Sequence, residues 1–131
     1  MSWLMNEKEQ EAVMSLSASE RYSYSIKRIA DWEEIWSLWA KDGWVLSEDN
    51  EGNKVIPVWP HEKFATACIS GEWTNAKPRM IDLKGWMERW IPGMVRDQRL
   101  VCIFPTPRMN GVVVTPERLM NDLADELLKY R

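Results

Sequence analysis

The sequence predicts an α+β fold: a mixed sheet of about five strands covered by helices, with N-terminal helices ahead of a β-hairpin and an amphipathic helix at the C-terminus. Three observations predict it. Leu100 to Phe104 (LVCIF) is an unbroken apolar run of strand length, the pattern of a central strand covered on both faces. Two apolar segments, one opening at Trp44 and one closing at Trp59, flank a polar turn rich in Asn and Gly. Helical spacing recurs at both ends of the chain, in Tyr22, Ile26 and Ile29 and again in Leu119, Leu123 and Leu127.

The elements follow in order. Asn6 with Glu9 is a capping pair that starts a helix at Glu7, and its apolar stripe of Ala12, Val13 and Leu16 is thin. Residues 1–16 are therefore read as a loosely attached helix and 17–131 as a single α+β domain. Ser17 with Glu20 repeats the capping pattern and opens a stronger helix. Trp32, Trp36 and Trp39, at i, i+4 and i+7, extend helical sequence to Gly43.

Trp44 to Leu46 and Val55 to Trp59 are the strands of the hairpin. Pro57 removes one ladder donor and argues for an edge or a bulge. Pro60 suits the first turn of a helix that buries Phe64, Ala65, Cys68 and Ile69. Met80, Ile81 and Leu83 form a short strand. Asp82 caps a helix carrying Trp86, Met87, Trp90 and Ile91, which stops at Pro92-Gly93. After the central strand, Asn110-Gly111 turns the chain into a buried strand, Val112 to Val114. Thr115-Pro116-Glu117 then starts the last helix.

Composition limits function. A chain of 131 residues needs no disulfide or metal to hold a core. Net charge is −3, from 17 basic and 20 acidic residues, which lacks the electrostatic footprint of a nucleic-acid binder. Cys68 and Cys102 lie in apolar settings and read as reduced buried thiols. With no signal peptide at the N-terminus and no apolar run of spanning length, a cytoplasmic protein without a membrane anchor is expected.

The residue types of common chemistry are sparse. His61 is the one histidine, and adjacent Glu62 does not share its helix face. It reads as a solvated residue at a helix terminus. The six glycines form neither GxGxxG nor a P-loop, and GxSxG is absent. No cofactor and no metal are expected. Arg79, Lys84, Arg89, Arg96 and Arg99 accompany Trp73, Trp86 and Trp90, but acids interleave with them, so core tryptophans under a mixed-charge surface are the reading.

Tryptophan is the outlier, with nine in the chain. Trp44, Trp59 and Trp73 lie at strand ends or in loops, where helix packing does not account for them. Converging, they would make an apolar pocket with polar rims at Asp42, His61 and Glu62.

Several blocks resemble a known family: RYSYSIKRIADWEEIWSLWAKDGW, VIPVWPHEKFA, GEW, DLKGWMERWIPGM, LVCIFPTP and GVVVTPERLMNDL. Together, over Ser17 to Leu128, they are similar to the bacterial domain-of-unknown-function family 2750. That resemblance implies no particular activity. IPVWP, MIDLKGW, LVCIFPTP and VVVTPERL are more weakly similar to SseB-like domains, which implies a mixed α/β sandwich and a binding role, regulatory or immunity-like. The long aromatic N-terminal helices depart from that pattern.

The functional expectation is a small bacterial, non-enzymatic protein-binding module, its partner another protein. The alternative is a small-molecule binder or unrecognised enzyme with an aromatic cleft at the strand ends. A homodimer formed through exposed tryptophans is a further expectation. The edge of the Asp42–Pro60 hairpin is the expected binding surface, because an edge accepts a strand from another chain.

Overall fold

The computed structural model of the chain describes residues 3–41, 43–49 and 51–129. Asn6 caps helix α1 (Glu7–Met14) by accepting from Glu9 N at 2.8 Å. Ser17 and Glu20 close a full capping box ahead of α2 (Ala18–Trp32). Helical structure ends there. Glu33 takes the left-handed conformation (φ 58°) as the cap, and the chain continues as strand β1 (Glu34–Ala40). The helix expected to run through Trp36 and Trp39 to Gly43 is thus corrected: both tryptophans lie on a strand.

The fold is α+β, with helices against mixed and antiparallel sheets. Where one sheet of about five strands is expected, the described residues form seven short strands in two sheets. The first is antiparallel, in the order β2 (Gly43–Trp44), β1, β5 (Lys77–Asp82). The second runs β3 (Ser47–Glu48), β4 (Lys54–Val58), β6 (Leu100–Ile103), β7 (Val112–Val114). There β4 and β6 are parallel and the outer pairs antiparallel. The expected hairpin is divided: Trp44 pairs with Trp39 in the first sheet, while β3 and β4 make the turn in the second.

Trp36 and Trp59 join the sheets by one antiparallel bridge. The alternation that turns Trp59 toward β1 turns Pro57 the same way, beyond the reach of β3, so its missing N–H leaves no ladder gap. The Pro57 carbonyl accepts from the buried Ser37 hydroxyl at 2.6 Å.

β6 lies inside its sheet, as the apolar run predicts. Ile56, Val58, Val101 and Ile103 are buried in register on one face, in one apolar cluster with Ile26, Ile29, Met94, Leu119 and Leu123 of the helices. The same cluster takes in Met5 and Val13, from the segment expected to attach loosely. On the other face, Val113 is 44% exposed, so β7 is half covered and not buried throughout.

Two helix boundaries also differ from expectation. Pro60, expected in the first turn, precedes the helix, and His61 caps α3 (Glu62–Ala67). The helix after Asp82 passes through Pro92: α4 (Leu83–Gly85) leads into a π segment (Trp86–Trp90) and then α5 (Ile91–Asp97). The π turn widens the helix just ahead of the proline ring, which would otherwise clash with the preceding turn.

The final helix α6 (Pro116–Leu128) begins as expected, with Thr115 accepting from Arg118 N at 3.2 Å.

Candidate functional site

The residues expected to converge are distributed over three places. Asp42 lies outside the described residues. Trp59 is fully buried, with Nε1 donating to Pro105 O at 2.8 Å. Trp73 meets its ring edge-on, centroids 6.4 Å apart, and is half-buried.

His61 is buried, not solvated. Its Nδ1 accepts from Lys63 N at 3.1 Å, so the proton sits on Nε2, 2.8 Å from Trp3 O. Both ring nitrogens are committed to backbone, and the Trp3 ring packs 4.6 Å away. Glu62 is exposed on α3.

Trp44 belongs to another surface. Its indole stands edge-to-face between Trp39 (5.1 Å, 88°) and Trp90 (4.9 Å, 75°). All three are half-buried. Two local facts build this cluster. The register Trp39↔Trp44 puts two indoles opposite each other on one face of the β1–β2 pair. The π segment brings Trp86 and Trp90 into a stack at 5.2 Å and 23°, so the buried Trp86 supports Trp90 from behind. Trp86 Nε1 is buried with no hydrogen-bond partner among the described residues.

Beside these rings lies a groove of about 510 Å³, lined by Trp44, Trp90, Leu46, Ile56 and Met94 with Arg89, Arg99 and Asp97 at its margin. Leu46 is 40% exposed there. The Arg79 guanidinium sits 4.5 Å from the Trp39 centroid and 5.7 Å from that of Trp44. Asp97 pairs with Arg96 at 3.4 Å. Arg89 and Arg99 form no ion pair with a described residue.

Sequence reasoning groups Arg79, Arg89 and Arg99 with Trp90, and the structure gathers those four around Trp44. Lys84 and Arg96 line no part of the groove, Trp73 is elsewhere and Trp86 is core. Trp39 is missed because it is placed on a helix. The available signal was the strand-forming composition of EIWSLWA.

A second concavity, of about 430 Å³, opens on the other face of the four-stranded sheet between Pro57, Cys102, Val113, Trp73 and Pro105. Its rim is the loop 104–111, and that loop is tightly constrained. Phe104 is buried at φ 56°, a left-handed conformation that is strained for an aromatic residue. A Cβ on Gly111 would lie 2.4 Å from Ile103 O, so only glycine fits. The buried Arg21 guanidinium donates to Phe104 O at 3.0 Å, Leu16 O at 2.6 Å and Asn110 O at 2.7 Å. Burial pushes the thiols of Cys68 and Cys102 each up to about 11, so both are held as neutral thiols at ordinary pH.

Among the described residues no cluster of three or more His, Cys, Asp or Glu is placed to hold a metal ion. No described helix is long and apolar enough to cross a membrane. Comparison with curated proteins gives no match. A family model does match, over residues 22–123, a range that begins within α2 and contains Trp39, Trp44, Trp90 and the loop 104–111. By that match the chain belongs to the family described as Protein of unknown function (DUF2750).

Proposed function

We propose that this protein is a non-enzymatic protein-binding module, regulatory or immunity-like and cytoplasmic, whose contact surface is centred on Trp44 and Trp90. The observation that carries the reading is the half-buried cluster of Trp39, Trp44 and Trp90 beside an open apolar groove. Tryptophan and arginine dominate the energetics of protein interfaces, where an anchor is held rigid and partly desolvated before binding. Here Trp86 fixes Trp90 from behind and Arg79 fixes Trp39, so little side-chain freedom remains to be lost.

The test is a photo-activated cross-linking residue at position 46, on the groove, in living cells. A discrete adduct with one identified protein, lost in Trp44→Ser and absent when the cross-linker is at position 128, is expected. Adducts equal at both positions, or none, would overturn the proposal. An adduct with a second copy of this chain would replace it with a homodimer.

A second reading, a small-molecule binder or enzyme, is favoured by one observation: the 430 Å³ cleft on the sheet face is walled by the loop that follows the strained Phe104. It predicts that a panel of metabolites contains one that raises the melting temperature, with the rise abolished in Trp73→Ala. A panel without such a compound counts against it.

A further inference from the structure

We propose that the segment recognised at the Trp44–Trp90 groove is an acidic stretch of the partner protein carrying an apolar anchor residue, an inference that rests on the binding reading above. The groove has two chemical zones. Trp44, Trp90, Leu46, Ile56 and Met94 offer apolar surface. Its charged margin is cationic: Arg99 forms no ion pair with a described residue, Arg89 reaches over Gly85 beside Asp82 without pairing to it, and Asp97 is engaged by Arg96. Arg79, on the adjoining Trp39 and Trp44 rings, adds a third guanidinium.

This concentration of arginine occurs on a chain whose net charge is −3. The surface therefore differs in sign from the protein as a whole, and it repels the basic partners that the rest of the surface would attract. Arginine is also suited to carboxylates, which it grips through two parallel N–H donors.

Single-stranded nucleic acid is the less favoured polyanion. Its bases need open ring faces. Trp44 meets both neighbours edge-to-face, and Trp90 has one face stacked on Trp86. A long polyanion would also meet the acidic remainder of the chain.

Fluorescence anisotropy with four labelled probes tests the inference: a short Asp/Glu-rich peptide with a central Phe, the same peptide with Lys in place of the acids, an uncharged version, and single-stranded oligothymidine. The acidic peptide is expected to bind at least ~10-fold more tightly than the other peptides and to weaken with added salt. Arg89→Glu with Arg99→Glu should abolish that preference, and Trp90→Ala should weaken the acidic and uncharged peptides alike. Arg108→Glu, away from the groove, should change neither, and thermal melts check that each variant is folded. Equal binding of acidic and basic peptides, or tighter binding of oligothymidine, would overturn the inference. If the cross-link from position 46 forms but survives Arg89→Glu with Arg99→Glu, the binding reading stands and the acidic partner falls.

Discussion

Trp36 and Trp59 exchange both of their backbone hydrogen bonds, each at 2.8 Å, and this bridge joins the antiparallel sheet to the mixed one. Trp59 lies at the junction and its side chain is wholly enclosed. Trp59→Ala should cost about 3–5 kcal/mol, as for other buried large-to-small changes, measured by urea denaturation. Trp59→Phe retains most of the volume but leaves Pro105 O only the weak Cys68 thiol donor, at 3.4 Å, for a loss of ~1 kcal/mol. Any binding defect of Trp59→Ala should vanish under conditions that restore folding.

Arg21 should be irreplaceable by lysine. One ammonium cannot span the carbonyls of Leu16, Phe104 and Asn110, which the planar guanidinium reaches together. Arg21→Lys and Arg21→Met should each lose ~1–3 kcal/mol for every buried carbonyl left bare. Hydrogen exchange should quicken across residues 104–111 before the rest of the chain. Uniform exchange would show that the guanidinium does not hold that loop.

His61 links the N-terminal segment to α3. Its ring cap and its contact with Trp3 O are joined by a third tie, Lys63 Nζ to Met5 O at 2.6 Å. His61→Ala should remove about 1 kcal/mol for the cap and leave α1 more open to proteolysis. His61→Asn restores a capping acceptor but not the reach to Trp3. Normal stability with a still-exposed α1 would separate the two roles.

Alkaline pH should unfold the protein progressively. Burial raises Cys68 and Cys102 from 9.0 to about 11 and Tyr24 from 10.0 to about 12. Tyr22 is pushed further up, by burial first and then by its hydrogen bond to Asp122. In each case the folded state favours the protonated group. The stability this adds is complete below the unfolded pKa and is lost as pH rises through the folded one. The urea midpoint should therefore fall between about pH 9 and pH 12. In Cys102→Ala the early part of the fall should be smaller; an identical curve would exclude that thiol as a contributor.

Helix starts were legible because their chemistry is local. Asn6, Ser17, Asp82 and Thr115 each accept from the backbone three residues on. The Leu100–Ile103 strand was legible because its apolar run has no polar face. The end of α2 was not. Glu33 takes a positive φ without being glycine, so no stop residue marks it. Trp36 and Trp39 continue the helical spacing from Trp32, the last residue of α2, while the chain there is paired as a strand. Pro92 misled in the opposite sense, because an inserted π turn has no sequence signature of its own. The Trp44–Trp90 groove was only half legible for the same reasons: its arginines and Trp90 could be grouped, but not aimed at Trp44.

The parallel pair β4–β6 has a consequence for how the chain comes apart. Its connection runs from Trp59 to Arg99 and carries β5, which is paired with β1 of the other sheet. Each sheet thus has strands inside a connection of the other: β5 lies between β4 and β6, and β3 and β4 lie between β2 and β5. Closing these contacts demands long-range order before local reward, a route to slow folding. Neither half can persist after the other has melted, so heat, urea and proteolysis should all report the same single transition.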